Sequence, residues 1–373
     1  MTAKIPIFDD VLVSVTGIDL CRLRDAPPGF ASRGPADPVP ACIEAAVDLR
    51  PFPAASPMPG ELASLDPGQE LHCHRDGGLD VYLWDGMVRL EDRSRPVRAY
   101  LCDPREPRWG GTLATAVSHA LAGRGVLVLH AAAVQVDDLS MLILGDSGSG
   151  KSTLCAAVLH AGGRVLSDDL IAAGCPTAGA PADPRLRPMR RDLYVTRGTR
   201  PVLPPHLRGL LRGGRLQDKL YLPRAAAAAA FCDELGVDCI LALSPPAPRR
   251  DRTRLRPASQ AEALAALINA SAHLHSSLSG LRHLLLPAAA ALAGGAPAFA
   301  VSIGSGLLET PAAEVAALRA ALTDCLSTAG DRALDNIPVA RQTAGGVGSS
   351  AGALVPGPPA ARRAAGRGPP DRL

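Results

Sequence analysis

The stretch "LGDSGSGKST", residues 144–153, places glycines at 145, 148 and 150, a lysine at 151 and a hydroxyl at 152. Gly145, Asp146, Ser147, Gly148, Ser149, Gly150, Lys151, Ser152 and Thr153 fill and flank the pattern G-x-x-x-x-G-K-S/T. In that pattern backbone N–H groups wrap phosphates, the lysine ammonium neutralises them and the hydroxyl binds Mg²⁺. The implied ligand is a nucleoside triphosphate, ATP or GTP, with ATP the first expectation. The lysine stands out in a chain with 39 Lys and Arg, because only Lys4, Lys151 and Lys219 are lysines. Lys219, in "QDKLYL", is a further candidate contact for phosphate or substrate.

A phosphate cradle does not decide what becomes of the phosphate. Asp168 and Asp169, in "LSDD", lie seventeen and eighteen positions beyond Lys151, at the end of the next strand-like run. Ligands collect at such strand ends in open α/β sheets. Adjacent carboxylates diverge as the chain turns, so one can hold Mg²⁺ while the other faces an acceptor and takes its hydroxyl proton. The lesser alternative is that the two acids only cap the segment that follows. His130, closing "VLVLH", is likewise the kind of histidine that cores bury and hydrogen-bond.

The elements around these residues are of the right kind. "SMLILG" before the loop is β-prone and "STLCAAVLHAG" after it is helix-forming, which gives the strand, loop and helix order the motif requires. The helix start then turns its N–H groups and positive dipole end to the phosphates. "VLVLHAAAVQV" reads as one strand and "RVLSDDLIAA" as a strand broken at its acids. "DKLYL", "VDCILALS" and "AFAVSIG" read as strands, "SQAEALAALINASAHLH" and "PAAEVAALRAAL" as helices. "GTLATAVSHALAGRG" reads as an amphipathic helix closed by glycine. The expected fold is an α/β P-loop core over 111–335. Ahead of it, 1–110 form a small β-rich region of hairpins such as "LDVYLWDGMVRLED", interrupted by a Pro-rich insert, 26–60, that is too rich in proline for regular structure. Residues 336–373 read as a disordered tail.

Composition narrows the function. Net charge is only +3, aromatics are 3% of residues and acids are interspersed with the arginines, so nucleic acid is not an expected partner. The densest basic cluster, "RLRPMRR", reads as a solvated face. Nine cysteines without a paired C-x-x-C beside a P-loop suit reduced thiols in the cytoplasm. "LHCHRD" alternates its side chains between two faces, which argues against a metal site there. Residues 284–306 carry no charge, but their Pro and Gly residues break the run, so no membrane span is expected. "SLSGL", 277–281, superficially resembles an ABC-transporter signature without its "GQ" continuation. The alternatives to a kinase are therefore a P-loop ATPase or a nucleotide-gated regulatory protein.

The whole stretch "LHAAAVQVDDLSMLILGDSGSGKSTLCAAVLHAGGRVLSDDLI" resembles the core of HPr kinase/phosphorylase-type serine kinases. It shares their Leu-His opening, their G-D-S-G-x-G-K-S loop and a glycine-preceded strand ending in Asp-Asp. The resemblance implies that His130, Lys151 and Asp169 are catalytic, with Asp169 the base, and that Ser152 and Asp168 bind Mg²⁺ at the reacting centre. A downstream glutamate signature is absent, since no Glu occurs between Asp169 and Cys232, and this points away from HPr as substrate and from the reverse reaction. The chain is more similar to the divergent HPr kinase-related branch associated with ribosomally made peptides, lasso peptide kinases among them, which have a segment like "DPRLRP" followed by a lone lysine. That branch implies transfer to a serine hydroxyl of a peptide or small protein. Self-association is a further implication, the HPr enzymes being hexamers.

Overall fold

The structure is a computed structural model that describes residues 2–8, 11–16, 43–51, 71–75, 78–83, 86–90, 97–102, 111–122, 125–174, 184–189, 192–213, 219–244, 252–275 and 282–335. Seven strands come first: β1 (Thr2–Phe8), β2 (Val11–Thr16), β3 (Ile43–Pro51), β4 (Leu71–Arg75), β5 (Gly78–Leu83), β6 (Gly86–Leu90) and β7 (Val97–Leu101). They form one sheet of order β1-β2-β3-β7-β6-β5-β4. β3 corrects the reading of 26–60 as irregular throughout. Between Pro40 and Pro51 the chain is free of proline, and this window pairs in parallel with both β2 and β7. The rest of that insert lies outside the described residues, as do "SLSGL" and 336–373.

Strands and helices then alternate. They are α1 (Gly111–Ala122), β8 (Leu127–His130), β9 (Ala132–Val136), β10 (Leu139–Leu144), α2 (Lys151–His160), β11 (Arg164–Ser167), β12 (Leu170–Gly174), β13 (Arg185–Pro188), β14 (Leu193–Thr196) and α3 (Pro205–Arg208). After them come β15 (Arg212–Gly213), β16 (Lys219–Leu222), β17 (Cys239–Leu243), β18 (Arg254–Ala258), α4 (Gln260–His275), α5 (Arg282–Gly295), β19 (Ala298–Ser302), α6 (Gly306–Glu309) and α7 (Pro311–Asp335). Met1–Ala329 forms one compact unit; a second, Gly330–Leu373, contains the end of α7. The uncharged run 284–306 is divided between α5 and β19, and no helix of the described residues is long and apolar enough to cross a membrane.

The core is a six-stranded mixed sheet of order β11-β9-β10-β17-β19-β18, in which β10, β17 and β19 run parallel. β10 is buried along its whole length because both faces are covered. Met141 and Ile143 pack with Leu154, Cys155 and Val158 of α2. Leu142 and Leu144 point the other way, into a cluster with Ala263, Leu267 and Ala270 of α4. The period of two along the strand thus puts α2 on one face and α4 on the other.

Two local outcomes differ from the sequence pattern. The apolar run 126–136 is two strands, since β8 joins β12 and β13 in a three-stranded sheet while β9 stays in the six-stranded one, with the break at Ala131. Nothing in a continuous apolar run marks such a change of partner. Second, α1 is buried on nearly every side, including Thr112, Thr115, Ser118 and His119. It contacts β3, β6 and β7 of the first sheet and also β8 and α4, so it has no solvent face for a polar stripe to mark.

α4 starts with a reciprocal cap. Ser259 Oγ accepts from the Glu262 N–H at 3.2 Å, and Glu262 Oε2 accepts from the Ser259 N–H at 2.8 Å. The hydrogen bond from Arg256, with those from Ser259, holds the Glu262 carboxyl down to about 2 against an ordinary 4.5. A depressed carboxyl contributes stability above its unfolded value and loses it as pH falls through the folded one. Ser259→Ala is therefore expected to cost about 1 kcal/mol at neutral pH. In urea titrations the gap from wild type should hold down to pH 4.5 and then narrow without vanishing as pH nears 2, because the Ser259 hydroxyl's bond to the Glu262 carboxylate titrates and its bond to the Glu262 N–H does not; equal midpoints at neutral pH would show that the cap does not support α4.

Candidate active site

β10 delivers the chain to Gly145, where the sheet ends and the loop begins. Gly148 and Gly150 hold φ at +82° and +101°, backbone that side chains avoid. A Cβ at Gly150 would also stand 2.9 Å from Ile303 Cδ1. The loop closes on itself through the Ser149 N–H, which donates to Asp146 O at 3.1 Å. α2 follows with no side chain bonded across its start and no acid in its first turn, which leaves its positive end open to an anion.

Two side-chain donors converge on this loop. Lys151 is buried, and its ammonium donates to Gly145 O at 2.6 Å and Asp146 O at 3.1 Å, leaving one of its three N–H groups for a ligand. Burial pulls its pKa below the ordinary 10.5 and Lys219 adds to that pull, while Asp146, Asp168 and Cys155 oppose it. Ser149 Oγ is buried with no hydrogen-bond partner, an unsatisfied donor inside the loop itself. A phosphate oxygen is the group that would satisfy it, so this donor set fits a bound triphosphate.

The consecutive acids separate as the chain passes from β11 to β12. Asp168, only 3% exposed, turns to the loop: its Oδ2 accepts from Ser152 Oγ at 2.9 Å and its Oδ1 from the Tyr194 N–H at 3.4 Å. A hydroxyl and a carboxylate joined at the start of α2 are the hard oxygen ligands that Mg²⁺ takes. Asp169 turns to the other sheet, where its Oδ1 lies 2.7 Å from His130 Nδ1. Its backbone carbonyl accepts from the Ala131 N–H at 2.9 Å, and Leu170 pairs with His130 across β12 and β8. His130 also lines a cavity that reaches Gly145 and Asp146.

Asp146, Ser147 and Gly148 are exposed, whereas the Thr153 hydroxyl is engaged with Thr199 Oγ1 at 3.2 Å, which contacts Thr196 Oγ1 at 3.0 Å. Lys219 is exposed and sits opposite Thr196 in the β14–β16 pair. This three-stranded sheet (β14-β16-β15), including the Tyr194 amide that holds Asp168, was not legible as part of the site. A backbone donor leaves no residue-type signal. In the basic cluster, Arg185 Nη1 and Arg187 Nε donate to Glu234 at 2.8 and 2.6 Å, so these arginines are committed to an ion-pair network.

No family model matches the chain, and no curated protein does. Among solved structures it is similar to the HPr(Ser) kinase/phosphatase from Coxiella burnetii, at 13% identity and a TM-score of 0.28, over 54% of this chain and 96% of that one.

Removing the orphaned hydroxyl separates the loop's stability from its purpose. Ser149→Ala is expected to leave the melting temperature of the free protein unchanged or raised, because a buried unsatisfied group costs about 1–3 kcal/mol. The same variant should bind nucleotide several-fold more weakly by calorimetry. Full retention of affinity would show that Ser149 does not meet the phosphates.

Proposed function

We propose that this protein is an ATP-dependent kinase of the cytoplasm that phosphorylates a serine hydroxyl in a peptide or small protein, such as a ribosomally made precursor peptide. The observation that carries the reading is the His130–Asp169 contact at 2.7 Å, braced beside the cavity that opens onto Gly145 and Asp146. A carboxylate oriented by a histidine next to a triphosphate cradle is an arrangement suited to deprotonating an alcohol. A protein that only hydrolysed or sensed ATP would have less use for it.

The loop amides, Lys151 and the first N–H groups of α2 would hold the triphosphate, and Ser152 with Asp168 would hold Mg²⁺. Once bound, these groups supply the transferable phosphoryl and neutralise its charge. Lys151 keeps the terminal phosphate beside the start of the loop. Asp169 takes the proton of the serine hydroxyl as the serine oxygen bonds to the γ-phosphorus, the bond to the bridging oxygen breaks and ADP leaves. His130 orients that carboxylate during the transfer. Self-association of the chain is a separate part of the proposal, checked by its mass in solution.

The test is mass spectrometry of serine peptides, among them any encoded beside the gene, after incubation with ATP and Mg²⁺. Phosphoserine supports the kinase; free phosphate alone overturns it in favour of an ATPase. Asp169→Asn should lower kcat by about 10²- to 10⁴-fold with nucleotide affinity kept, and Lys151→Ala should lose nucleotide binding. Near-normal turnover in Asp169→Asn would remove it as the base.

Lys151 gives a pH dependence of known sign. Its pKa is lowered in the free protein, and adjacent phosphates raise it. Nucleotide affinity should thus fall as pH rises through a point below 10.5, with proton uptake on binding in calorimetry at alkaline pH. Affinity independent of pH up to that value would place Lys151 away from the ligand.

A further inference from the structure

The kinase reading leaves open how a serine is chosen, and the cavity beside His130 bears on that. It has a volume of about 130 Å³ and lies at the C-terminal ends of β10 and β17, under α4. Its walls are Leu144, Ala242, Leu243, Ala266 and Ala270. His130, Asp146 and Asn269 supply its polar lining, and Asp146 and Asn269 are exposed.

Its position relates it to the acceptor rather than to the nucleotide. The helix whose start binds phosphate, α2, packs on the face of β10 that carries Met141 and Ile143. The cavity lies mainly on the opposite face, with Leu144 and the α4 residues Ala266, Asn269 and Ala270, and is bounded also by Leu243, which packs with the α2 side. It touches the loop only at Gly145 and Asp146, the two residues whose carbonyls hold the Lys151 ammonium. Since the lysine of such loops reaches the β- and γ-phosphates, the cavity adjoins the transferring end of the nucleotide. On its other side His130 carries Asp169. A peptide that places its serine at Asp169 therefore passes the mouth of the cavity.

We infer that this cavity is a specificity pocket for one branched aliphatic side chain, Val, Leu or Ile, at a fixed position beside the acceptor serine; the inference rests on the kinase reading. The size agrees, since a cavity of about 150 Å³ lined by Leu, Ile and Phe accepts benzene. The lining is mixed: the Leu and Ala side chains reward apolar surface, polar groups make up the larger share of what is exposed at the mouth, and the Asp146 carboxylate disfavours an acidic residue or a free phosphate. Asn269 can both donate to and accept from the peptide backbone that crosses the mouth.

The experiment uses the full chain, ATP, Mg²⁺ and serine-centred peptide libraries in which each position within about three residues of the serine is varied in turn. Wild type should favour Val, Leu or Ile over Gly and Asp at one position only, by about tenfold or more in kcat/KM. Ala266→Leu and the milder Ala270→Val fill the cavity and should move that preference to Gly or Ala. Nucleotide Kd and melting temperature, measured on both variants, establish that they are folded. Phosphorylation without preference at any position overturns the pocket and leaves the kinase standing, and so does a preference that survives in both filled variants. A chain that binds ATP and phosphorylates none of the peptides removes the kinase reading, and the pocket with it.

Discussion

The hydrogen bond from the Ala131 N–H to the Asp169 carbonyl, at 2.9 Å, sits where two chain segments change sheets side by side. β8 and β12 belong to the three-stranded sheet, β9 and β11 to the six-stranded one, and the bond ties the two crossings together. The crossing after β11 sends Asp168 toward Ser152 and Asp169 toward His130. Within one unbroken strand, neighbouring side chains would also face apart, but toward the two buried faces of a sheet. The change of sheet lets both carboxylates stay at the sheet ends. A backbone bond of this kind contributes only about 1 kcal/mol, so packing must do the rest. It comes from the cluster in which Val128, Leu170 and Ala172 join Leu113, Val117 and Leu121 of α1.

The loop gathers groups that suit an anion: an ammonium whose pKa is lowered by burial, a hydroxyl with no partner and an uncapped helix start, with Asp146 the one acid in the loop itself. Asp168 is turned to Ser152 and the Tyr194 amide, and Asp169 to His130. The lysine ammonium rests on the Gly145 and Asp146 carbonyls, which fix its position and leave its third N–H for an anion.

How much of this was legible in the sequence depends on whether a feature is local. The loop, the strand before it and the helix after it follow from glycine placement and hydrophobic period, and the break at Asp168–Asp169 follows from two acids in an apolar run. The split at Ala131 did not, because both halves of the run are equally apolar and only the choice of partner strand differs. β3 was hidden by the prolines around it; α1 was legible as a helix, but not its burial on both sides, because the elements that cover it lie far away in sequence. The amide of Tyr194 and the cavity under α4 arise from segments far apart in sequence. No residue pattern marks either.

α1 binds the first sheet to the core as one folding unit. Its apolar and small polar residues are shared between β3, β6 and β7 on one side and β8 and α4 on the other, so the first sheet cannot be trimmed as an optional appendage. A shortened chain starting at the P-loop core would bare the side of α1 that carries buried apolar residues such as Leu113, Val117 and Leu121, the sort of surface that drives aggregation. It would also slacken β8, and with it the histidine at its end. Variation tolerated in the first sheet should accordingly be judged by its effect on solubility and turnover together.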